Sequence, residues 1–140
     1  MFRLAVSLRL ASAMMLAAVS LMVASGPSKA DPALHHVKYT VTAERPFHAE
    51  IYYRDSEPLT FADYSHNPYQ FSPNIEADVG PDQPWILNAM LKDPTQWAMV
   101  VVTSGLSTEI PMFHCQLEVD GVVAATDDGP KGALCSLRHW

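Results

Sequence analysis

Cys115 and Cys135 are the only two cysteines of this 140-residue chain. In an oxidising compartment two cysteines most simply form one disulfide, whereas a reducing compartment leaves two buried thiols. A bridge that closes the loop between Cys115 and Cys135 would stabilise the fold by roughly 3 kcal/mol, according to the chain-entropy model. Cys115 adjoins His114, but neighbouring residues of a strand point to opposite faces, so the two do not form a catalytic pair. We predict a structural disulfide between Cys115 and Cys135.

The histidines lack the spacing of a metal site. His35 and His36 are adjacent, so on a strand their rings point apart. The other four are scattered, and no acid or cysteine completes a zinc-binding set beside them: His48, His66, His114 and His139. We therefore expect no metal site and no cofactor.

Motifs for covalent catalysis are also missing. The sequence contains no Gly-x-Ser-x-Gly nucleophile elbow and no glycine-rich phosphate loop. Paired acids occur at Asp127 and Asp128, but Gly129 and Pro130 follow directly, a composition typical of turns. We expect that the protein is not an enzyme and has no catalytic residues.

The first 30 residues resemble a secretory signal. Arg3 and Arg9 supply the positive region, residues 10–24 are apolar, and Ser28-Lys29-Ala30 offers small residues to a signal peptidase. This interpretation predicts a signal peptide over residues 1–30 and a mature domain over 31–140, secreted or held in the cell envelope. The alternative is an uncleaved membrane anchor that extends back to Leu4, which would bury Arg9 at a cost of roughly 2.5–3.5 kcal/mol.

The charge of the predicted mature chain excludes one class of partner. The whole chain has a formal charge of −6, and residues 31–140 keep all fifteen acids but only six bases, a net charge of −9. Such a surface repels phosphate backbones, so we expect no nucleic-acid partner. The length predicts a single domain.

Alternating hydrophobicity predicts strands along most of the mature chain. In residues 37–42, for example, Val37, Tyr39 and Val41 share one face. The sequence predicts seven strands, over residues 37–42, 49–54, 85–92, 96–103, 112–119, 122–125 and 133–137. Asp120-Gly121 is a strong hairpin signal. The composition of residues 126–132 predicts a tight loop. No segment has a pattern that predicts a helix. The pattern indicates an all-β protein, an immunoglobulin-like antiparallel β-sandwich of about seven strands.

Residues 55–84 interrupt the strand pattern. They hold five of the eleven prolines, yet they are too rich in aromatic residues for a disordered linker. We predict a long ordered crossover, with room for one short strand. Its aromatics and the C-terminal tryptophan form our candidate binding surface: Phe61, Tyr64, Tyr69, Phe71 and Trp140. Trp85 and Trp97 are expected to fill the core.

The C-terminal hairpin resembles a known family. Cys115-Gln116-Leu117-Glu118-Val119-Asp120-Gly121-Val122-Val123, with Cys135 near the end, is similar to the MmpS family of actinobacteria, as are Val37-x-Tyr39-x-Val41, Ile51-x-Tyr53 and Pro84-Trp85. The resemblance covers about residues 36–137. It implies an extracytoplasmic immunoglobulin-like sandwich that acts as the small partner of MmpL transporters, which export lipids and siderophores.

Two functions follow as expectations. The first is a secreted, non-enzymatic interaction domain of the actinobacterial envelope, whose partner is a membrane transporter or an envelope lipid. The alternative is a secreted binding protein that holds a small apolar ligand under the 55–84 crossover. An enclosed apolar cavity beneath that crossover would favour the ligand, and a flat exposed aromatic patch would favour a partner.

We predict cleavage after Ala30, because Ser28-Lys29-Ala30 fits a signal-peptidase site and Arg9 interrupts a longer anchor. Mass spectrometry of the exported protein should find a chain that begins at Asp31. Recovery of the intact N-terminus in the membrane fraction would contradict this prediction.

Overall fold

A computed structural model describes residues 33–139, so the predicted signal segment and its cleavage site lie outside the described residues. Eight strands and two short helices follow one another along the chain. They are β1 (His35–Ala43), β2 (Phe47–Tyr53), α1 (Phe61–His66), β3 (Asn74–Val79), β4 (Trp85–Leu91), α2 (Pro94–Trp97), β5 (Met99–Thr103), β6 (Phe113–Val119), β7 (Val122–Gly129) and β8 (Gly132–Ser136). No helix within residues 33–139 is long and apolar enough to cross a membrane.

The strands form two four-stranded sheets. Sheet A has the order β4-β1-β6-β7, and sheet B has the order β3-β2-β5-β8. Every pairing between neighbouring strands is antiparallel. The predicted antiparallel β-sandwich is therefore confirmed.

The core lies between the two sheets and follows the alternation of the sequence. Val37, Tyr39 and Val41 of β1 are fully buried, as are Ile51 of β2 and Leu117 of β6. Residues between them in each strand point outward and are more exposed, because successive side chains of a strand alternate between its faces. One face of each sheet therefore builds the core, and the other remains available for contacts.

Residues 33–139 form eight strands, because the short strand that the prediction allowed within the 55–84 crossover does form, as β3, and pairs with β2. The structure corrects the sequence prediction at two places. The expectation of no helix is wrong: α1 lies in the crossover, and α2 occupies Pro94–Trp97, so the strand predicted from residue 96 begins only at Met99. Pro94 starts α2 because its fixed φ suits the first helical turn. The loop predicted over 126–132 is shorter, since β7 continues to Gly129.

The predicted hairpin at Asp120-Gly121 joins β6 to β7 and also holds the start of β1. Both residues have positive φ, 51° and 81°, which the two-residue hairpin turn requires. The Asp120 carboxylate accepts hydrogen bonds from the His35 ring at 2.6 Å and from the His36 N–H at 2.9 Å. These contacts hold the Asp120 pKa below its usual value, with the His35 hydrogen bond as the larger cause.

The chain passes from sheet A to sheet B between β7 and β8. A Cβ at Gly129 would lie 1.8 Å from the Gly132 carbonyl oxygen, so this close approach requires glycine. The Asp127 carboxylate accepts the Leu134 N–H at 2.9 Å and so covers part of the outer edge of β8. Charged side chains at such edges also discourage pairing with another chain.

Cys115 of β6 and Cys135 of β8 form a disulfide between the two sheets, with Cα atoms 6.1 Å apart. The sequence left open whether the bridge joins neighbouring strands or opposite sheets, and the structure places it between sheets. Both cysteines are buried, as expected of a structural bridge. A disulfide of this kind is typical of an oxidising, extracytoplasmic location.

Replacing both cysteines, as Cys115→Ala/Cys135→Ala, should lower the free energy of unfolding by about 2–5 kcal/mol, since the variant loses the covalent tie between β6 and β8. Urea unfolding measures the change. A reducing agent should destabilise the parent by a similar amount and leave the double variant unaffected. Two free thiols in denatured, freshly exported protein would refute the bridge.

Candidate binding surface

The helix α1 forms inside the crossover because its first turn is capped. The Thr60 hydroxyl accepts a hydrogen bond from the Asp63 N–H at 3.1 Å and donates one to the Asp63 carboxylate at 2.9 Å. This arrangement satisfies a backbone donor that has no partner within the helix. None of the residues of α1 is fully buried. A helix of six residues is too short to be stable alone, so its position depends on the side chains it contacts.

Those contacts form an arginine–aromatic cluster of Arg54, Phe61, Tyr64, Trp97 and Arg138. The Arg54 guanidinium lies 4.6 Å from the centre of the Tyr64 ring and 5.4 Å from that of Trp97. Arg138 lies 5.1 Å from Phe61 and 6.0 Å from Trp97. The Tyr64 ring packs against Trp97 at 5.7 Å and against Phe61 at 6.0 Å. Cation–π attraction therefore holds α1 against residues that follow β2 and β8.

Arg54 itself is almost completely buried beneath this cluster. Burial lowers the pKa of its guanidinium, and the interaction with Tyr64 opposes that change. An arginine keeps its charge even so, because its ordinary pKa is far above neutrality. The cluster thus surrounds a buried cation with aromatic faces, a geometry that favours a fixed side-chain arrangement.

The buried hydroxyl of Tyr39 fixes the backbone at Arg54. Tyr39 belongs to β1 of sheet A, and its hydroxyl donates to the Arg54 carbonyl at 2.7 Å. The same oxygen accepts the Met99 N–H at 3.2 Å, and the Arg54 N–H donates to the Met99 carbonyl at 3.1 Å. One side chain from sheet A therefore sets where β2 ends and β5 begins in sheet B.

A carboxylate fixes the start of the crossover. Glu57 accepts hydrogen bonds from the Lys92 N–H at 3.0 Å and the Asp93 N–H at 2.6 Å, just after β4. Hydrogen bonds from backbone N–H groups to an ionised carboxylate are stronger than neutral ones. The backbone of Arg54 and the side chain of Glu57 thus fix the short segment between β2 and α1.

Four of the five predicted surface residues lie within the described residues, and they differ in their exposure. Phe61 is 55% exposed, and Tyr64 is half-buried because it packs on Trp97 and Arg54. Tyr69 follows α1 and is 86% exposed, while Phe71 is half-buried near β3. Trp140 lies outside the described residues. The structure brings Phe61 and Tyr64 together.

Sequence reasoning missed Arg54, Arg138 and the role of Trp97. Trp85 packs partly buried against the core as expected, but Trp97 ends α2 and belongs to the arginine–aromatic cluster. The Asp93-Pro94 pair, a frequent helix start, was the signal that could have moved Trp97 out of a strand. No local pattern marks a buried arginine, because its partners come from distant parts of the chain.

An open groove of about 540 Å³ lies beside the crossover. Its apolar lining comes from Leu34, Pro58, Leu59 and Met90, and Leu59 is 95% exposed. Asp55, Glu57 and Lys92 supply polar edges. The groove is large enough for a small apolar molecule, but it is a surface feature of the described domain and not an enclosed cavity.

Four histidines of residues 33–139 pair with polar side chains: His35, His36, His48 and His114. His114 contacts Asp128, His36 contacts Asn88 at 2.9 Å, and His48 contacts Asp78 at 2.8 Å. Within this described range, no three histidine, cysteine or acidic side chains converge as metal ligands. These pairings give the histidines a role in fastening neighbouring strands.

Comparison with known proteins relates this sandwich to mycobacterial proteins. Residues 39–135 match the family described as the Rv2576c beta-sandwich domain. The chain is 35% identical over 113 residues to the uncharacterized protein Rv2576c of Mycobacterium tuberculosis (strain ATCC 25618 / H37Rv), covering 81% of this chain and 73% of that protein. The uncharacterized protein Mb2606c of Mycobacterium bovis has the same identity and coverage.

The free energy of unfolding should fall at alkaline pH, because the buried Tyr39 hydroxyl must ionise there. Burial raises its pKa to about 12 from an ordinary 10.0, so the folded state favours the neutral phenol. The resulting stabilisation, about 3 kcal/mol, is fully present below pH 10 and is lost as the pH rises through 12. Tyr39→Phe should cost about 1–3 kcal/mol at pH 8, because the Arg54 carbonyl and Met99 N–H lose their partner.

The difference in unfolding free energy between parent and Tyr39→Phe should therefore shrink between pH 8 and pH 11, as measured by urea unfolding at each pH. Tyr69→Phe is the matched control, since Tyr69 is 86% exposed and should match the parent at both values. A difference that stays constant with pH would show that Tyr39 does not titrate as the structure indicates.

Proposed function

The chain belongs to the Rv2576c beta-sandwich domain family, and we propose that it is a non-enzymatic interaction domain exported to the mycobacterial cell envelope. The observation that carries this proposal is the set of exposed apolar side chains on the fixed crossover, Leu59, Phe61 and Tyr69. Large apolar side chains that stay exposed within a few residues of one another are available for contact with another molecule.

The way the crossover is held supports a partner surface. Glu57, Arg54 and the Thr60 cap fix the segment from both sides, so Phe61 and Leu59 project from a defined backbone. Binding to a fixed surface loses less conformational entropy than binding to a flexible loop. The groove beside the crossover is open, which suits contact with a larger molecule better than enclosure of a small one.

An MmpL-type transporter is the partner that we propose, with lipid or siderophore export as the process assisted. This part rests on the resemblance of the hairpin around Asp120-Gly121, with Cys115 and Cys135 in place, to the MmpS family. The inter-sheet disulfide fits an extracytoplasmic domain. The exposed aromatics would contact the transporter, and the acidic surface would keep the domain away from phosphate-rich partners.

A second function is supported by the 540 Å³ groove itself. Leu34, Leu59 and Met90 could bind the apolar part of a small ligand, while Lys92 lies at the rim. In this alternative the protein carries an envelope lipid and needs no transporter contact.

Site-specific photo-crosslinking separates the two functions. A tagged chain carrying p-benzoyl-phenylalanine at Phe61 or Tyr69 would be produced in a mycobacterium and irradiated. Leu106 is the control position, because it is an exposed apolar residue that lies outside the crossover, on the loop between β5 and β6. We expect an MmpL-type transporter to be captured from Phe61 and Tyr69 and not from Leu106.

Capture of lipid without protein at Phe61 and Tyr69 would support the carrier and overturn the transporter contact. Equal capture from Leu106 would also contradict the proposal, since it would show that the aromatic surface has no selective partner.

A further inference from the structure

The outer faces of the two sheets differ in how their charges are compensated. On sheet A the outward side chains are largely polar and pair with one another. Lys38 lies 3.7 Å from Glu118, and His114 contacts Asp128 on the neighbouring strand. Thr40 and Gln116 occupy opposite positions between these pairs. Sheet A therefore presents a face whose charges are matched internally.

The outer face of sheet B carries an apolar row across its centre. The register places Tyr52 opposite Val101, and Val101 opposite Leu134. Leu134 is 43% exposed and the other two are half-buried, so the row is accessible. Since neighbouring strands lie about 4.8 Å apart, the three side chains form a strip about 10 Å long.

Carboxylates occupy the next positions along the same face. Glu50 lies directly opposite Glu76 in the pairing of β2 with β3. His48, opposite Asp78, contacts Asp78 at 2.8 Å and Glu76 at 3.5 Å, so one histidine faces three carboxylates. Like charges opposite each other on neighbouring strands destabilise a sheet. The hydrogen bonds with Asp78 and then Glu76 raise the pKa of His48, in keeping with a negative field at this end.

We propose that the outer face of sheet B binds a protein segment that places lysine or arginine side chains beside apolar ones. Apolar side chains of the segment would pack on Tyr52, Val101 and Leu134, and its cations would lie over Glu50 and Glu76. Residues two apart on a strand are separated by about 6.7 Å, so an extended segment has the spacing to contact both rows.

The negative charge of this face favours a segment that carries lysine or arginine over other partners. A second copy of the chain would bring Glu50, Glu76 and Asp78 against the same acids, and each predicted mature chain carries a net charge of −9. Phosphate backbones and anionic membranes are repelled for the same reason. The proposal concerns a different surface from the crossover aromatics and does not depend on their partner.

A defined probe tests the face directly. The probe is the capped peptide Lys-Ser-Val-Ser-Lys-Ser-Val, in which lysine and valine lie two residues apart on one face of an extended chain, with Glu-Ser-Val-Ser-Glu-Ser-Val as its control. The lysine peptide is titrated into the isotope-labelled domain, and amide signals are followed by NMR. The signals of Tyr52, Val101 and Leu134 should shift, and those of Thr40 and Gln116 should stay unchanged. The affinity should fall with added salt, and the glutamate peptide should not bind.

Two matched double variants complete the test. Glu50→Gln/Glu76→Gln should weaken binding of the lysine peptide about tenfold, because it removes two of the three carboxylates on this face. Glu118→Gln/Asp128→Asn makes the same charge change on sheet A and should leave the affinity unchanged. Equal weakening in both variants, shifts confined to sheet A or no binding of the lysine peptide would overturn the proposal.

Discussion

The hydroxyl of Tyr39 is the constraint on which the rest of the domain depends. A phenol buried in a core costs about 1–3 kcal/mol unless its hydrogen-bonding groups find partners. Sheet B supplies those partners at the Arg54 carbonyl and the Met99 N–H, the points where β2 ends and β5 begins. The two sheets are thereby set in one relative position, and the disulfide between Cys115 and Cys135 provides a second tie elsewhere.

This position of Arg54 determines how the crossover can fold. A buried guanidinium needs compensation, and the rings of Tyr64 and Trp97 provide it at 4.6 and 5.4 Å. The helix that carries Tyr64 has only six residues, so the contact with Arg54 is a principal reason for its location. Phe61 contacts Tyr64 and Arg138 at the edge of the same cluster, and 55% of its surface still faces solvent.

The sandwich could be predicted because its strands alternate strictly, as Val37, Tyr39 and Val41 do, and because Asp120-Gly121 specifies a tight hairpin. The aromatics of the crossover could be named but not placed. Their arrangement depends on Arg138, which is distant in sequence from α1, and on the burial of Arg54, and neither has a local signature. A short strand in the crossover could be allowed for but not located, because β3 is an edge strand with exposed Asn74, Glu76 and Asp78, and this polar composition resembles a loop.

The interactions that hold the domain together lie between its sheets or at the ends of its strands, so the outer faces can vary at little cost to stability. On the outer face of sheet A, charged side chains are paired within the sheet, as Lys38 is with Glu118. On sheet B, Glu50 lies opposite Glu76, and the contacts of His48 with Glu76 at 3.5 Å and Asp78 at 2.8 Å offset only part of the charge of the three carboxylates. Residues that break a structural rule with only partial compensation are expected at functional positions. The excess negative charge of sheet B and the exposed apolar residues of the crossover are therefore the two places where we propose contact with other molecules.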